Sequence, residues 1–265
     1  MDQSKYQTLR FDRAGRVLTI TINLPEKLNV VTHQLHEEMA NVFDDAADDA
    51  ESDIIVLTGA GNVFCAGGDL AWLKQELDEG FPPFVSEIRT MKRIVHGVLD
   101  CPKPIIARVN GDAMGFGASI ALLCDIIIAK DTARFADPHV KVGLSAGDGG
   151  ALMWPLLIGH AKAKHYLLTG EALTAMEAER LGLITFAIPE AEFDEYVAKY
   201  AERLARGAQS AIRYTKMTAN IGLRQMLPSL FEAGAAYEGL CKHTADFREG
   251  VTAFLEKRRP AFKGI

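Results

Sequence analysis

The stretch KPIIARVNGDAMGFGASIALLCD, residues 103–125, decides the fold. Residues 104–109 are apolar and β-branched with little alternation, the pattern of a strand buried on both faces. Asn110 and Gly111 turn the chain. Gly115 and Gly117 let the backbone approach a ligand without a Cβ in the way, and residues 118–124 continue as a helix that is apolar all round. A helix that starts there leaves its first N–H groups without intrahelical partners, so its N-terminus is a seat for negative charge. Read alone, the same glycines serve equally well for a tight turn and close packing.

A second unit of the same kind shifts that balance. Residues 53–58 (DIIVLT) form another buried strand, and residues 59–69 (GAGNVFCAGGD) another glycine-rich turn before a helical pattern that begins near Leu70. Two strand–glycine–helix units on one sheet can each aim one N–H at a common point. Such a pair is an oxyanion hole, two preorganised donors where charge develops on a carbonyl oxygen.

With 265 residues, 48% of them hydrophobic and 24% charged, the chain can bury a large core as one α/β body with an extension. Its formal net charge of −6, with Lys and Arg scattered, argues against a nucleic-acid footprint. Cys65, Cys101, Cys124 and Cys241 lack the paired spacing of a zinc site and are too few for a disulfide scaffold, so buried thiols in a reducing compartment are expected. Residues 1–15 carry charge where a signal peptide needs an apolar core, and no run approaches the roughly 18 apolar residues of a membrane span. A soluble cytoplasmic protein without a membrane partner is the expectation.

Along the chain, residues 6–10 and 17–23 read as a β-hairpin around Gly15, and residues 32–47 as a helix capped by Thr32. Residues 71–77 and 85–99 are helical, separated by a flexible break at residues 78–83. Strands are expected at residues 126–130, 133–135 and 183–188. Helices are expected at residues 151–158, 160–169, 174–181 and 190–206. From residue 210 onward the spacing is helical only, in segments 211–220, 223–240 and 244–256. This divides the chain into an α/β core, residues 1–207, and a helical C-terminal region, residues 208–265, which either folds back on the core or packs on another subunit.

A dinucleotide-binding turn is the first alternative. Gly115-Phe116-Gly117-Ala118-Ser119-Ile120 lacks the last glycine or alanine of that fingerprint, and no acidic residue ends a strand about 20 residues further on. No phosphate-binding G-x-x-x-x-G-K-[ST] loop occurs either.

FCAGGDL (residues 64–70), VNGDAMGFGAS (109–119), PEKLN (25–29) and REGVTAFLEKRRPAFKG (248–264), in this order and spacing, resemble the enoyl-CoA hydratase/isomerase family, the crotonases. The resemblance implies a spiral of ββα units, a helical C-terminal region that builds trimers or dimers of trimers, and acyl-CoA thioester substrates with no cofactor or metal beyond coenzyme A itself. It places the two oxyanion donors on the backbone N–H of Gly68 and Phe116; Phe116 replaces the usual glycine, but the N–H survives. It maps coenzyme A contacts onto Lys27, Leu28, Ala66, Gly68, Asp69 and Leu70, and onto Phe254 and Lys257 from a neighbouring subunit.

The catalytic carboxylates depart from that pattern. The positions of the two hydratase glutamates hold Ser119 and His139, and a serine is no general base near neutral pH. The segment DPHVKVGLSAGDGG instead offers His139 and Asp148, an imidazole suited to proton transfer and a carboxylate to orient it. A strand-end histidine and a helix-capping aspartate are the plainer readings. Pro138-His139, Gly147-Asp148-Gly149 and Trp154-Pro155 also resemble the β-diketone hydrolase branch of the crotonases, typified by 6-oxocamphor hydrolase. That likeness maps two further residues onto His36 and Glu238, which by pattern alone sit on exposed helix faces. Hydration or isomerisation, C–C hydrolysis, and a non-catalytic CoA-binding role all remain open at this point.

Overall fold

The computed structural model describes residues 1–81 and 84–264. Its strands are β1 Leu9–Ala14, β2 Val17–Ile22, β3 Ile54–Gly59, β4 Ile105–Val109, β5 Ala113–Met114, β6 Ile126–Lys130, β7 Arg134–Ala136, β8 Leu173–Thr174 and β9 Phe186–Ile188. Six form one sheet in the order β1-β2-β3-β4-β6-β9, and β5-β7-β8 form a second. All pairs in the larger sheet after the β1–β2 hairpin are parallel. In β3, Ile55 and Leu57 enter the main core, while Ile54 and Val56 join Ile106 and Ile128 beneath Phe193, Val197 and Ala201. Both faces are thus covered, which is why these strands read as unbroken apolar runs.

The helices are α1 His33–Ala47, α2 Leu70–Glu79, α3 Phe84–Asp100, α4 Phe116–Leu123, α5 Gly150–Ile158, α6 His160–Thr169, α7 Ala175–Leu181, α8 Glu190–Ala205, α9 Gln209–Ala219, α10 Ile221–Met226, α11 Glu232–Cys241 and α12 Ala245–Leu255. Thr32 caps α1 through a bond from the Leu35 N–H, and Thr174 with Glu177 forms a capping box on α7. Mixed α/β architecture with a helical C-terminal region is therefore what the chain adopts.

The differences from the sequence reading are local. Residues 78 and 79 continue α2 up to Gly80, and residues 82 and 83 of the expected break lie outside the described residues. Residues 183–185 are turn, so the last strand is shorter than its apolar run. The helix expected over 223–240 is interrupted by a π turn at Leu227–Phe231, because Pro228 has no N–H to give the α-helical ladder. The C-terminal region folds back on its own core: Phe247 and Val251 of α12 pack with Leu77 and Leu144. All four cysteines are free and three are buried.

Two buried asparagines sew the glycine loops to the sheet. Asn29 accepts from the Leu24 N–H at 3.0 Å and donates to the carbonyls of Ala60 and Val63, each at 2.8 Å. It does so with φ of 55°, a left-handed conformation that asparagine tolerates better than most residues. Asn110 accepts from the Gly59 N–H at 3.1 Å and donates to the Gly61 carbonyl at 2.8 Å. Gly111 and Gly117 allow the loops to touch, since a Cβ would meet Asn62 O at 1.9 Å and Cys65 O at 2.4 Å. Replacing Asn29 by Ala should cost about 2–4 kcal/mol, from backbone strain and three unmet buried groups. Urea unfolding checks this against Asn62→Ala, an exposed loop site whose stability should stay within about 0.5 kcal/mol of the parent.

Candidate active site

The Gly68 N–H is aimed by its neighbours. Val31 N–H donates to Gly67 O at 2.8 Å and Asp69 N–H donates to Val31 O at 3.1 Å, so the intervening amide faces the opposite side, as alternate groups of a strand do. Across the gap, Gly115 donates to Ala136 O at 2.9 Å and takes φ of 53°, delivering Phe116 as the first residue of α4. A first-position N–H has no intrahelical acceptor. Among the described residues, neither the Gly68 nor the Phe116 N–H has a protein acceptor.

Both residues line one cavity of about 580 Å³. Met91, Ile94 and Val95 of α3 and Ile120 and Leu123 of α4 make it largely apolar, while His36, His139, Asp148 and Glu238 bring polar groups to it. Leu28, Ala66, Asp69, Leu70 and Phe254 lie on its lining too. Phe254 reaches it within its own chain, where the resemblance implies a neighbouring subunit. Lys27 and Lys257 are exposed and lie outside the lining.

His139 opens a 3₁₀ turn, His139–Val142, just past the end of β7. Its Nδ1 contacts Asp137 Oδ1 at 2.5 Å, and its Nε2 lies 3.4 Å from Asp148 Oδ2, beyond ordinary hydrogen-bond reach. The orienting carboxylate is therefore Asp137, which the sequence reading missed; Asp148 faces the ring's other nitrogen and does not orient it. Asp137 is fully buried against the first residue of α5, where a Cβ on Gly150 would come within 1.9 Å of Oδ2. That oxygen has no hydrogen-bond partner among the described residues. The only sequence signal was proximity: Asp137 stands two residues before His139.

Gly149, not Asp148, occupies the cap position of α5 and makes no side-chain bond, but the Asp148 carboxylate still takes the N–H of Gly150, the first residue of that helix, and its Oδ1 accepts from Ser119 Oγ at 2.8 Å. Ser119, where the resemblance sets a hydratase glutamate, thus donates to a carboxylate. Glu238 of α11 is also buried, contrary to the exposed-face reading, and its Oε2 has no partner among the described residues.

The electrostatics follow from this packing. Burial disfavours the charged ring of His139, but the Asp137 and Asp148 carboxylates outweigh it and hold its pKa well above the ordinary value. Asp148 is pushed up by burial and by Asp137, against the opposing pull of His139 and the bonds from the Ser119 hydroxyl and the Gly150 N–H. Burial raises Glu238 to about 7, again opposed by His139. Burial lowers His36 to about 4, which leaves its ring neutral near pH 7. The site therefore holds a ready proton donor, His139, beside a carboxyl group poised to gain or lose a proton near neutrality. Asp137, His139 and Asp148 offer ligand atoms within 4.8 Å of one another, a spacing a metal ion could also span. The direct 2.5 Å contact leaves no room for an ion between Asp137 and Nδ1.

Known proteins resemble this chain over nearly its whole length. Residues 12–265 match the model of the enoyl-CoA hydratase/isomerase family. A probable enoyl-CoA hydratase of Rhodobacter capsulatus is 35% identical, over 98% of this chain and 99% of that protein. The 2,3-dehydroadipyl-CoA hydratase of Escherichia coli is 33% identical, over 95% and 97%. The crystal structure of an enoyl-CoA hydratase/isomerase from Mycobacterium paratuberculosis superposes with a TM-score of 0.88 at 36% identity, covering 93% of this chain and 98% of that one. Family match, fold likeness and two loops that meet at one cavity agree, and the chain belongs to the enoyl-CoA hydratase/isomerase family of acyl-CoA enzymes.

Proposed function

We propose that the enzyme adds water reversibly to an α,β-unsaturated acyl-CoA thioester. The observation that carries this reading is the meeting, on one cavity, of two N–H groups without an acceptor among the described residues, the doubly flanked His139 ring and the Glu238 carboxyl, whose Oε2 has no partner among them either. Leu28, Ala66, Asp69, Leu70 and Phe254 hold the coenzyme A part at the cavity rim, with Lys27 and Lys257 beyond it for the phosphates.

The thioester oxygen accepts from the Gly68 and Phe116 N–H groups. Glu238 as carboxylate takes a proton from water while the water oxygen bonds the β-carbon, and the displaced π electrons pass through the α-carbon to the thioester oxygen as an enolate. His139 then gives its Nε2 proton to the α-carbon and the enolate charge returns to a carbonyl. Its Cε1 lies 3.5 Å from where a Cβ on Gly115 would sit, next to the Phe116 amide. Glu238 ends protonated and His139 neutral; proton transfer from the first to the second resets the site. Asp137 and Asp148 keep the imidazolium accessible throughout. Asp148 and Glu238 thus offer two carboxyl groups where the glutamate positions hold Ser119 and His139.

A second reading is hydrolytic C–C cleavage of a β-keto acyl-CoA, with the enolate leaving group held by the same two N–H groups. Its supporting observation is the imidazole at a position where hydratases carry glutamate. Ring opening of a cyclic β-keto acyl-CoA, without water addition to an enoyl-CoA, would establish it in place of hydration.

We also infer that the C-terminal region joins subunits into a trimer or a dimer of trimers, because Tyr214, Ile221, Leu230, Tyr237 and Leu240 are exposed apolar side chains on its helices. Light scattering at micromolar concentration should give at least three times the chain mass, and a monomer would contradict the inference.

For the hole, Gly68→Pro removes one donor and should lower turnover by about 10²- to 10³-fold, while Phe116→Gly, which keeps its N–H, should be far milder. A folded Gly68→Pro variant with unchanged turnover would exclude that amide.

For the proton transfers, His139→Ala should remove turnover by about 10²-fold or more with CoA-ester affinity nearly unchanged. Asp137→Asn should lower the pH at which activity falls on the alkaline side, since it removes a charge that holds the imidazolium. On the acid side, kcat/KM should rise through about pH 7 as Glu238 ionises, and Glu238→Gln should abolish that limb. Stability should move the other way. With folded pKa values above the unfolded ones for His139 and Glu238, their contribution is complete at acid pH and lost as pH rises through the folded values. If neither an α,β-unsaturated acyl-CoA nor a cyclic β-keto acyl-CoA reacts, and His139→Ala changes nothing in binding or stability, the chain is a non-catalytic CoA binder; unchanged turnover in that variant would instead exclude His139 from the chemistry.

A further inference from the structure

Lys242, the residue that ends α11, reaches the same cavity one helical turn beyond Glu238. Its ammonium is 7% exposed as a side chain and forms an ion pair with Glu87 of α3, itself on the lining. The Phe81 ring covers it from another side, 5.7 Å from the nitrogen. The described hydrogen bonds use one of its three donors, the one to Glu87. Close by, Glu76 is buried with no partner for Oε2 among the described residues, and its carboxyl is pushed up by burial and by Glu87 against the pull of Lys242. The neutral His36 ring faces the cavity next to Phe116, with centroids 6.0 Å apart.

A hydrocarbon tail pressed against such a wall would strip water from the ammonium and the carboxylates and return nothing. Sites built to hydrogen-bond a substrate group reject the analogue that lacks it far more strongly than apolar pockets reject an extra methylene. A second carboxylate on the tail fares no better, for it would meet Glu87, Glu238 and Asp148 with a single ammonium already paired. A neutral oxygen suffers neither cost.

We propose that the acyl group carries a neutral hydrogen-bond-accepting oxygen beyond the thioester, a ketone or a hydroxyl, that accepts from the Lys242 ammonium held by Glu87. The inference rests on the acyl-CoA reading of the cavity and adds its acyl specificity. Lys242 and Glu87 are specificity residues that touch the tail and take no part in the proton transfers.

The test is calorimetric binding of saturated thioesters of one chain length, which cannot be hydrated: hexanoyl-CoA, its 4-oxo and 5-oxo forms, its 5-hydroxy form and adipoyl-CoA. One of the oxo or hydroxy esters should bind at least about ten-fold tighter than hexanoyl-CoA, with adipoyl-CoA weakest. In the double variant Glu87→Gln/Lys242→Met, which removes both members of the ion pair together, that preference should fall by about ten-fold. Equal binding of the neutral esters, or tightest binding of adipoyl-CoA, would overturn the inference and leave the acyl-CoA reading in place. Binding of none of them would overturn both. A preference that survives in the folded double variant would remove Lys242 and Glu87 from it; if that variant does not fold, the comparison on the parent protein alone decides.

Discussion

Two backbone amides turned toward a cavity with nothing to bond are the constraint around which this fold is arranged. Gly68 is exposed and Phe116 half-buried, so what the chain must hold is the common direction of the two N–H groups. That hold is visible in the bonds that flank them. Val31 takes both neighbours of the Gly68 amide, and Ala136 takes the Gly115 amide just before Phe116. Asn29 and Asn110 fix the loop between β3 and α2 from below, and Met114 N–H donates to Cys65 O at 2.9 Å to tie one loop to the other. The parallel pairing of β3 with β4 sets the loops at the same end of adjacent strands, where open α/β sheets commonly present their ligand sites.

The charge arrangement at His139 obeys a second constraint. A buried imidazolium survives only with compensation, and here one carboxylate stands at each ring nitrogen. Asp148 is in turn held by the Ser119 hydroxyl, while Asp137 keeps Oδ1 on the ring and leaves Oδ2 without a partner among the described residues. Serine at position 119 suits this arrangement, since its hydroxyl donates to Asp148. A glutamate at 119 would add a further negative group beside Asp148 and raise both pKa values by mutual repulsion.

The sheet and its glycine loops were legible because buried parallel strands and positive-φ turns leave strong local patterns. Apolar runs at residues 53–58 and 104–109 and glycines at 67, 68, 115 and 117 name themselves. Residues whose role depends on distant partners were not legible in the same way. Asp137 bonds a ring two positions away, yet nothing local says that the chain there turns back on itself. Glu238 sits in a pattern that suits an exposed face, and only the fold-back of α11 over the cavity buries it. Asp148 stands where a helix cap is expected, and its use as a partner of Ser119, 29 residues earlier, is a tertiary fact. The π turn at Leu227–Phe231 was foreseeable in principle, since Pro228 lies inside the apolar repeat.

The placement of Glu238 and Lys242 also changes what the helical C-terminal region is for. As a segment attached to a finished α/β core, residues 208–265 would only cover surface or join subunits. In this structure α11 lays two ionisable residues, one turn apart, along the wall of a cavity whose other groups come from residues 28–148. Phe254 of α12 adds an apolar side chain at the rim. The proposed chemistry draws its oxyanion donors and its imidazole from the core and its second carboxyl from this region, so neither part forms the site alone. Substitutions on the inward face of α11 should therefore act on rate and acyl choice.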